Sequence, residues 1–417
     1  MAQAAAVALA GVHNVEINEA ALAAHVIAPA NLAGVTSSRG LDEGTVHADF
    51  AGSPVPTDHF DVAGFGTALH AALKDEVVGY TMRLRQNSTT IYTLEWNWAK
   101  TPADGGEGWT PDVRMHIASC SKLVTGIAMT KLLNEKPISY DTPIVAYLPK
   151  YWVKGPGVSK ITFRQLMTHT SGLEFGVKTS ASDYLTMKAA IAAGVPKNGQ
   201  YWYQNMNFGL CRILLATING NVAAGANFEV AGIAALNDVT WDYTTIAAYL
   251  AYVKAHVFEP AGVTGATTDH PSADALAYEF PATGNGWNSG DLTTMIGGAG
   301  WHMSVDELLD IMGTFRRSAT IMSATQAQTM LDDGFGIDVR QSTAVGTLYN
   351  KNGLWEDGAG HTEQSLAYFL PGNMELVVLA NSPIGAAGEF FRTVVTDIYL
   401  ANIKPSAIIR PPASKLA

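Results

Sequence analysis

Strand signals stand at both ends of this chain, with more than a hundred residues of helical and loop patterning between them. Near the start, Val77 to Arg85 and Thr90 to Trp96 alternate apolar and polar residues around the turn residues Gln86-Asn87-Ser88, a hairpin signature. Near the end, Leu366 to Leu370 and Glu375 to Ala380 flank Pro371-Gly372-Asn373 as a second hairpin. Its second arm is apolar enough to lie in the middle of a sheet. Helical periodicity over 162–170, 181–194, 207–217 and 241–257 separates the two hairpins. Arms that must pair across such a block predict an α/β fold, an antiparallel sheet flanked by helices with a helical insertion.

The expected boundaries follow. Residues 1–58 are an Ala- and Gly-rich N-terminal extension, 59–155 and 295–417 form the α/β domain, and 156–294 the mainly helical insertion. The first helix of the main domain runs from Phe60 to Leu73, with Phe65, Leu69, Ala72 and Leu73 on one face. The helix from Glu389 to Ala401 closes the chain across the sheet.

Three short stretches carry chemistry. Ser119 and Lys122, in Ser119-Cys120-Ser121-Lys122, stand three apart at the mouth of a helix continued by Leu123, Val124, Ile127 and Ala128. Residues three apart share a helix face, so the amine can take the proton of an otherwise poorly nucleophilic hydroxyl. A helix opening at the serine also directs backbone N–H groups at the place where an oxyanion would form. In Tyr203-Gln204-Asn205, on a loop entering the next helix, an extended backbone points residues i and i+2 the same way. A phenol and an amide can then face one cleft. Lys351-Asn352-Gly353, on a strand, offers a cation, a hydrogen-bonding side chain and an unobstructed backbone edge.

The order and spacing of these stretches resemble the serine β-lactamase-like hydrolases, in the branch of class C β-lactamases, family VIII carboxylesterases and DD-peptidases. Leu166-Met167-Thr168-His169-Thr170-Ser171-Gly172-Leu173 and the Gly-rich turn Gly297 to Leu308 strengthen the resemblance, which covers about Phe60 to Ala401. It implies a β-lactamase/DD-peptidase-like fold and an acyl-enzyme on Ser119, with Lys122 and Tyr203 sharing the proton work. It implies an oxyanion hole from the backbone N–H groups of Ser119 and Leu354. Asn205 and Asn352 would bind the acyl side of the substrate, and Lys351 would support the tyrosine electrostatically. His169 is expected to be a structural core histidine. Asn352 stands where threonine is usual, and the segment Glu356 to Glu363 is longer than in the lactamases. An alternative third motif is therefore His361-Thr362-Glu363, less suited because glycine follows Lys351 and Glu363 would crowd the edge.

The resemblance implies a carboxylesterase acting on small-molecule esters. A β-lactamase, a D-amino-acid peptidase or amidase, an acyltransferase and a catalytically silent binding protein are the alternatives. The net charge of −11, without a block of like charge, argues against a nucleic-acid partner. The two cysteines, Cys120 and Cys211, read as buried free thiols. The histidines show no metal-ligand spacing, and no cofactor is expected. No apolar run reaches the ~18 residues of a membrane span, and Met1 to Ala10 lacks the basic start of a secretory signal. The expectation is a soluble, cytoplasmic protein of unspecified oligomeric state.

Overall fold

The computed structural model describes residues 59–173, 182–229, 234–271, 273–384 and 391–404. The expected N-terminal extension lies outside the described residues. Helix α1 (Val62–Leu73) starts where the Asp61 side chain accepts the Gly64 N–H, and buries Phe65, Leu69 and Leu73. Strands β1 (Gly79–Gln86) and β2 (Thr89–Lys100) form the first hairpin, followed by the short β3 (Glu107–Gly108) and β4 (Met115–His116). Helix α2 (Ser121–Glu135) is buried along nearly its whole length.

The next stretch contributes helices α3 (Phe163–Met167), α4 (Tyr184–Ala193), α5 (Asn205–Ile218) and α6 (Ala234–Val253). Strand β5 (His302–Met303) precedes α7 (Val305–Arg317), which opens with a reciprocal cap between Ser304 and Glu307. Helix α8 (Ala324–Asp333), strands β6 (Val339–Thr343), β7 (Gly346–Glu356), β8 (Thr362–Leu370) and β9 (Met374–Ala380), and helix α9 (Phe391–Ala401) complete the order.

Seven strands form one sheet in the order β3-β2-β1-β9-β8-β7-β6, each neighbour antiparallel. The sheet is the expected one. β9 sits at its centre because its apolar run suits two buried faces. Leu376, Val378 and Ala380 pack with Phe65, Leu69, Val395 and Tyr399 of α1 and α9. Val377 and Leu379 face the larger core built by α2, α5, α6 and α7.

Two details of pairing position the site. β6 pairs with β7 only from Gly346 to Asn350, so β7 continues past it with an outer edge turned toward the helices. β4 pairs with β5, Met115 with Met303 and His116 with His302, which brings the lead-in to Ser119 beside the Gly-rich turn. Among the described residues, no helix is long and apolar enough to cross a membrane.

Candidate active site

Ser119 lies in a tight turn, Ala118–Cys120, immediately before α2 rather than within the helix itself. Ala118 is held at φ +46°, a left-handed conformation that costs a non-glycine residue free energy and that the surrounding bonds must hold. Ile117 N–H donates to Trp301 O at 2.9 Å, and Ile117 O accepts from Cys120 N–H at 3.0 Å and from Ser365 Oγ at 2.6 Å. The turn is fixed from both sides.

Lys122, one helical turn on, is fully buried. Its Nζ meets Ser119 Oγ at 2.7 Å, Asn205 Oδ1 at 2.5 Å and Gly298 O at 2.7 Å. The last two oxygens can only accept, so two of the amine's positions are committed to donating and the third faces the serine. A neutral amine would turn its lone pair on Ser119, and an ammonium would donate there. Tyr203 Oη lies 2.8 Å from the same Ser119 Oγ. Its ring passes 4.9 Å from Lys122 Nζ and 5.3 Å from Lys351 Nζ, measured to the ring centre. The phenol ring thus lies between two lysine amines.

The loop Tyr203-Gln204-Asn205 directs its first and third side chains to one point because Gln204 is extended, at φ −147° and ψ 131°. His169 stacks on Tyr203 with 4.3 Å between ring centres. Its Nδ1 accepts the Gln204 N–H at 3.3 Å and lies 3.1 Å from Asn207 Nδ2. Burial, then the charges of Lys122 and Lys351, hold the imidazole well below its usual pKa and therefore neutral. The core histidine thus backs the tyrosine ring.

The Gly-rich turn supplies carbonyls. Gly298 O receives Lys122, and Gly297 O receives Thr125 Oγ1 at 2.7 Å. Gly297 has φ +98°, and a Cβ there would lie 2.5 Å from Phe208 O, so only glycine fits.

The third stretch splits between the two faces of β7. Lys351 faces the tyrosine, where Asp338 holds its Nζ at 2.7 and 2.8 Å. Asn352 turns its side chain the other way, and its Oδ1 accepts from Arg392 Nη1 at 2.8 Å. The Asn352 N–H donates to Asp338 Oδ2 at 3.0 Å on the outer edge of β7. Leu354, two residues on, directs its N–H to that same edge beyond the last β6 pair. The glycine between them is pressed against the Ser119 turn. A Cβ on Gly353 would lie 2.4 Å from Ile117 O and from Ser365 Oγ, and 3.0 Å from Ser119 N. Gly353→Ala is expected to push the strand off the turn and lower kcat for any acyl substrate about 10²-fold, the scale of an ångström-sized misplacement. Steady-state kinetics would check it.

His361 lies in the β7–β8 connection, where its Nδ1 pairs with Asp357 Oδ2 at 2.6 Å. Glu363 is buried opposite Trp355, bound to His116. Lys351, not His361, is the cation beside Tyr203. The two thiols are free and buried, and burial pushes Cys120 up to about 11. Among the described residues, no group of three His, Cys, Asp or Glu side chains is arranged to hold a metal ion.

Asp338, Arg392, the Gly298 carbonyl and His116 were not among the expected site residues, and Glu363 entered only through the alternative third motif. Of these, the Gly-rich turn and Glu363 had a sequence signal.

A family model described as Beta-lactamase matches residues 67–397. The Esterase/beta-lactamase LipL of Mycobacterium tuberculosis is 27% identical over 106 residues, 24% of this chain and 24% of that protein. The chain spans about a fifth to a third of the length of the curated relatives it matches. Among solved structures, an octameric penicillin-binding protein homologue from Pyrococcus abyssi superposes with a TM-score of 0.62 at 17% identity, covering 83% of this chain and 79% of that one. A class C beta lactamase from Rhodobacter sphaeroides gives 0.57 at 15% identity, covering 81% and 98%. At these identities the structures speak to the fold.

Proposed function

The chain belongs to the Beta-lactamase family and has the fold of its serine hydrolases, and from that premise we propose that it hydrolyses small carboxylic esters through an acyl-enzyme on Ser119. The observation that carries the reading is the convergence of Lys122 Nζ and Tyr203 Oη on one oxygen, Ser119 Oγ, at 2.7 and 2.8 Å. Ser119 Oγ attacks the ester carbonyl carbon, and its proton passes to Tyr203 or Lys122, each already within hydrogen-bond reach. The N–H groups of Ser119 and Leu354 receive the oxyanion. The alkoxide leaves with the returned proton, and water repeats the sequence on the acyl-enzyme.

Asp338 favours esters over lactams and D-amino-acid peptides. Those substrates carry a carboxylate near the scissile bond and call for an available cation. Here Lys351, the third-stretch cation beside Tyr203, is already paired with Asp338 at 2.7 Å, and Arg392 is engaged by Asn352. A neutral ester asks for no such partner. Asp338→Asn, which keeps an oxygen for the Asn352 N–H, is expected to raise kcat/KM for an ester with an anionic acyl chain roughly tenfold relative to a neutral one, the effect of about 1.4 kcal/mol. Paired kinetics on mono-p-nitrophenyl glutarate and p-nitrophenyl butyrate would measure it.

The reading itself is tested by steady-state hydrolysis of short p-nitrophenyl esters beside a chromogenic cephalosporin. Ester turnover with little lactam turnover supports it. Strong lactam turnover would move the assignment to a β-lactamase.

A further inference from the structure

Behind the Ser119 turn lies a buried polar cluster that the acyl-transfer scheme does not use. His116 and His302 are 0% exposed, Glu363 and Asp274 1%. His116 Nε2 accepts the Gly300 N–H at 3.1 Å. A backbone N–H can only donate, so the imidazole proton sits on Nδ1, and it points at Glu363 Oε2, 2.8 Å away. The other carboxylate oxygen, Oε1, accepts from Ser289 Oγ at 3.1 Å. The Trp355 ring stands edge-on to His116, 5.2 Å between centres.

Each attachment belongs to a different wall of the site. His116 directly precedes Ile117, whose carbonyl anchors the Ser119 turn. Gly300 closes the turn in which Gly298 O receives Lys122. Trp355 follows Leu354, and it is paired with Glu363 across the β7–β8 ladder. One imidazole therefore ties together the nucleophile, the lysine's acceptor and the strand of the oxyanion hole.

We propose that the buried His116–Glu363 pair is a positioning unit for the reaction, in which the ionised carboxylate fixes the imidazole tautomer and the imidazole holds the three walls in register. The proposal rests on Ser119 being the nucleophile.

The groups facing Glu363 are His116 from β4, His302 from β5, and Ser289, His270 and Asp274 from the connecting loops. Burial raises the Glu363 carboxyl to about 8, opposed by His302, the Ser289 hydroxyl and His270, and reinforced by Asp274. Below that pH the carboxyl is protonated and grips the imidazole less strongly, and above it the ionised form acts. The sign is an activity that rises with pH through this range. Glu363→Gln copies the protonated state, since its amide oxygen accepts from His116 and its NH2 donates to Ser289.

The test is the pH profile of kcat and KM for a short p-nitrophenyl ester from pH 6 to 9.5, for wild type, Glu363→Gln and Glu363→Asp, with thermal denaturation of each. Expected for Glu363→Gln are a kcat about tenfold lower at pH 9, a KM within about twofold of wild type, and loss of the rise near pH 8, so that the two proteins converge at pH 6. Glu363→Asp should recover part of the rise. A Glu363→Gln protein that keeps wild-type kcat and the same rise, or one that loses kcat equally at all pH values, would overturn the proposal. Fluorophosphonate labelling separates this from failure of the reading beneath it. If wild type is labelled on Ser119 and the variants behave identically, only the positioning role fails; if Ser119 is not labelled, the nucleophile assignment fails first.

Discussion

Replacing Ser119 with alanine is expected to lower kcat/KM for short esters by at least about 10³-fold, leaving only what transition-state binding provides without a nucleophile. The size of the effect follows from the convergence of the site. Lys122 and Tyr203 both aim at Ser119 Oγ, so removing that oxygen disables the attack and idles both partners together. Additional loss of Lys122 or Tyr203 should then cost little, because residues that act as one unit are far from additive. The turn should keep its conformation, since Ile117, Cys120 and Ser365 hold it through the backbone and through Ser365 Oγ. Unchanged thermal denaturation beside lost turnover would be the expected pair of readings.

Lys122→Met is the second large effect and has a different signature. The side chain is fully buried and donates to Asn205 Oδ1 and Gly298 O as well as facing Ser119. Loss of the proton work lowers kcat by about 10²- to 10⁴-fold. Taking a donor from two buried acceptors also destabilises the fold, by about 1–3 kcal/mol for each acceptor left without a replacement. Both activity and melting temperature should fall, whereas Ser119→Ala should move activity alone. Methionine of matching length keeps the packing, so the contrast reads hydrogen bonding rather than a cavity.

Much of this architecture was legible because it is periodic or local. The run Glu375 to Ala380 announced a central strand, and it lies between β1 and β8 with both faces covered. Ser119 and Lys122 are one helical turn apart, and Tyr203 and Asn205 one extended step apart, so each pair could be oriented from spacing alone. Pairings between distant elements left no such mark. Asp338 meets Lys351 because the β6–β7 hairpin brings them together, and His116 meets Glu363 across 247 residues.

Roles, too, depend on neighbours that spacing does not reveal. Asn205 was expected to bind substrate, and its Oδ1 is held by Lys122 at 2.5 Å. Asn352 was given the same task, yet strand alternation turns its side chain away from Lys351 and toward Arg392. Ser119 was expected at the mouth of a helix, and it occupies the strained turn just before one. The strain at Ala118 is visible only once the backbone is traced.

The central claim is that Ser119 carries the acyl group. Its most direct test is to incubate the folded protein with a fluorophosphonate, measure the intact mass and map the modified peptide, with Ser119→Ala alongside. A single adduct on Ser119, absent from the variant and formed in step with loss of ester turnover, is the expected result. An adduct on another residue, or full ester turnover by a protein that takes no label at Ser119, would contradict it.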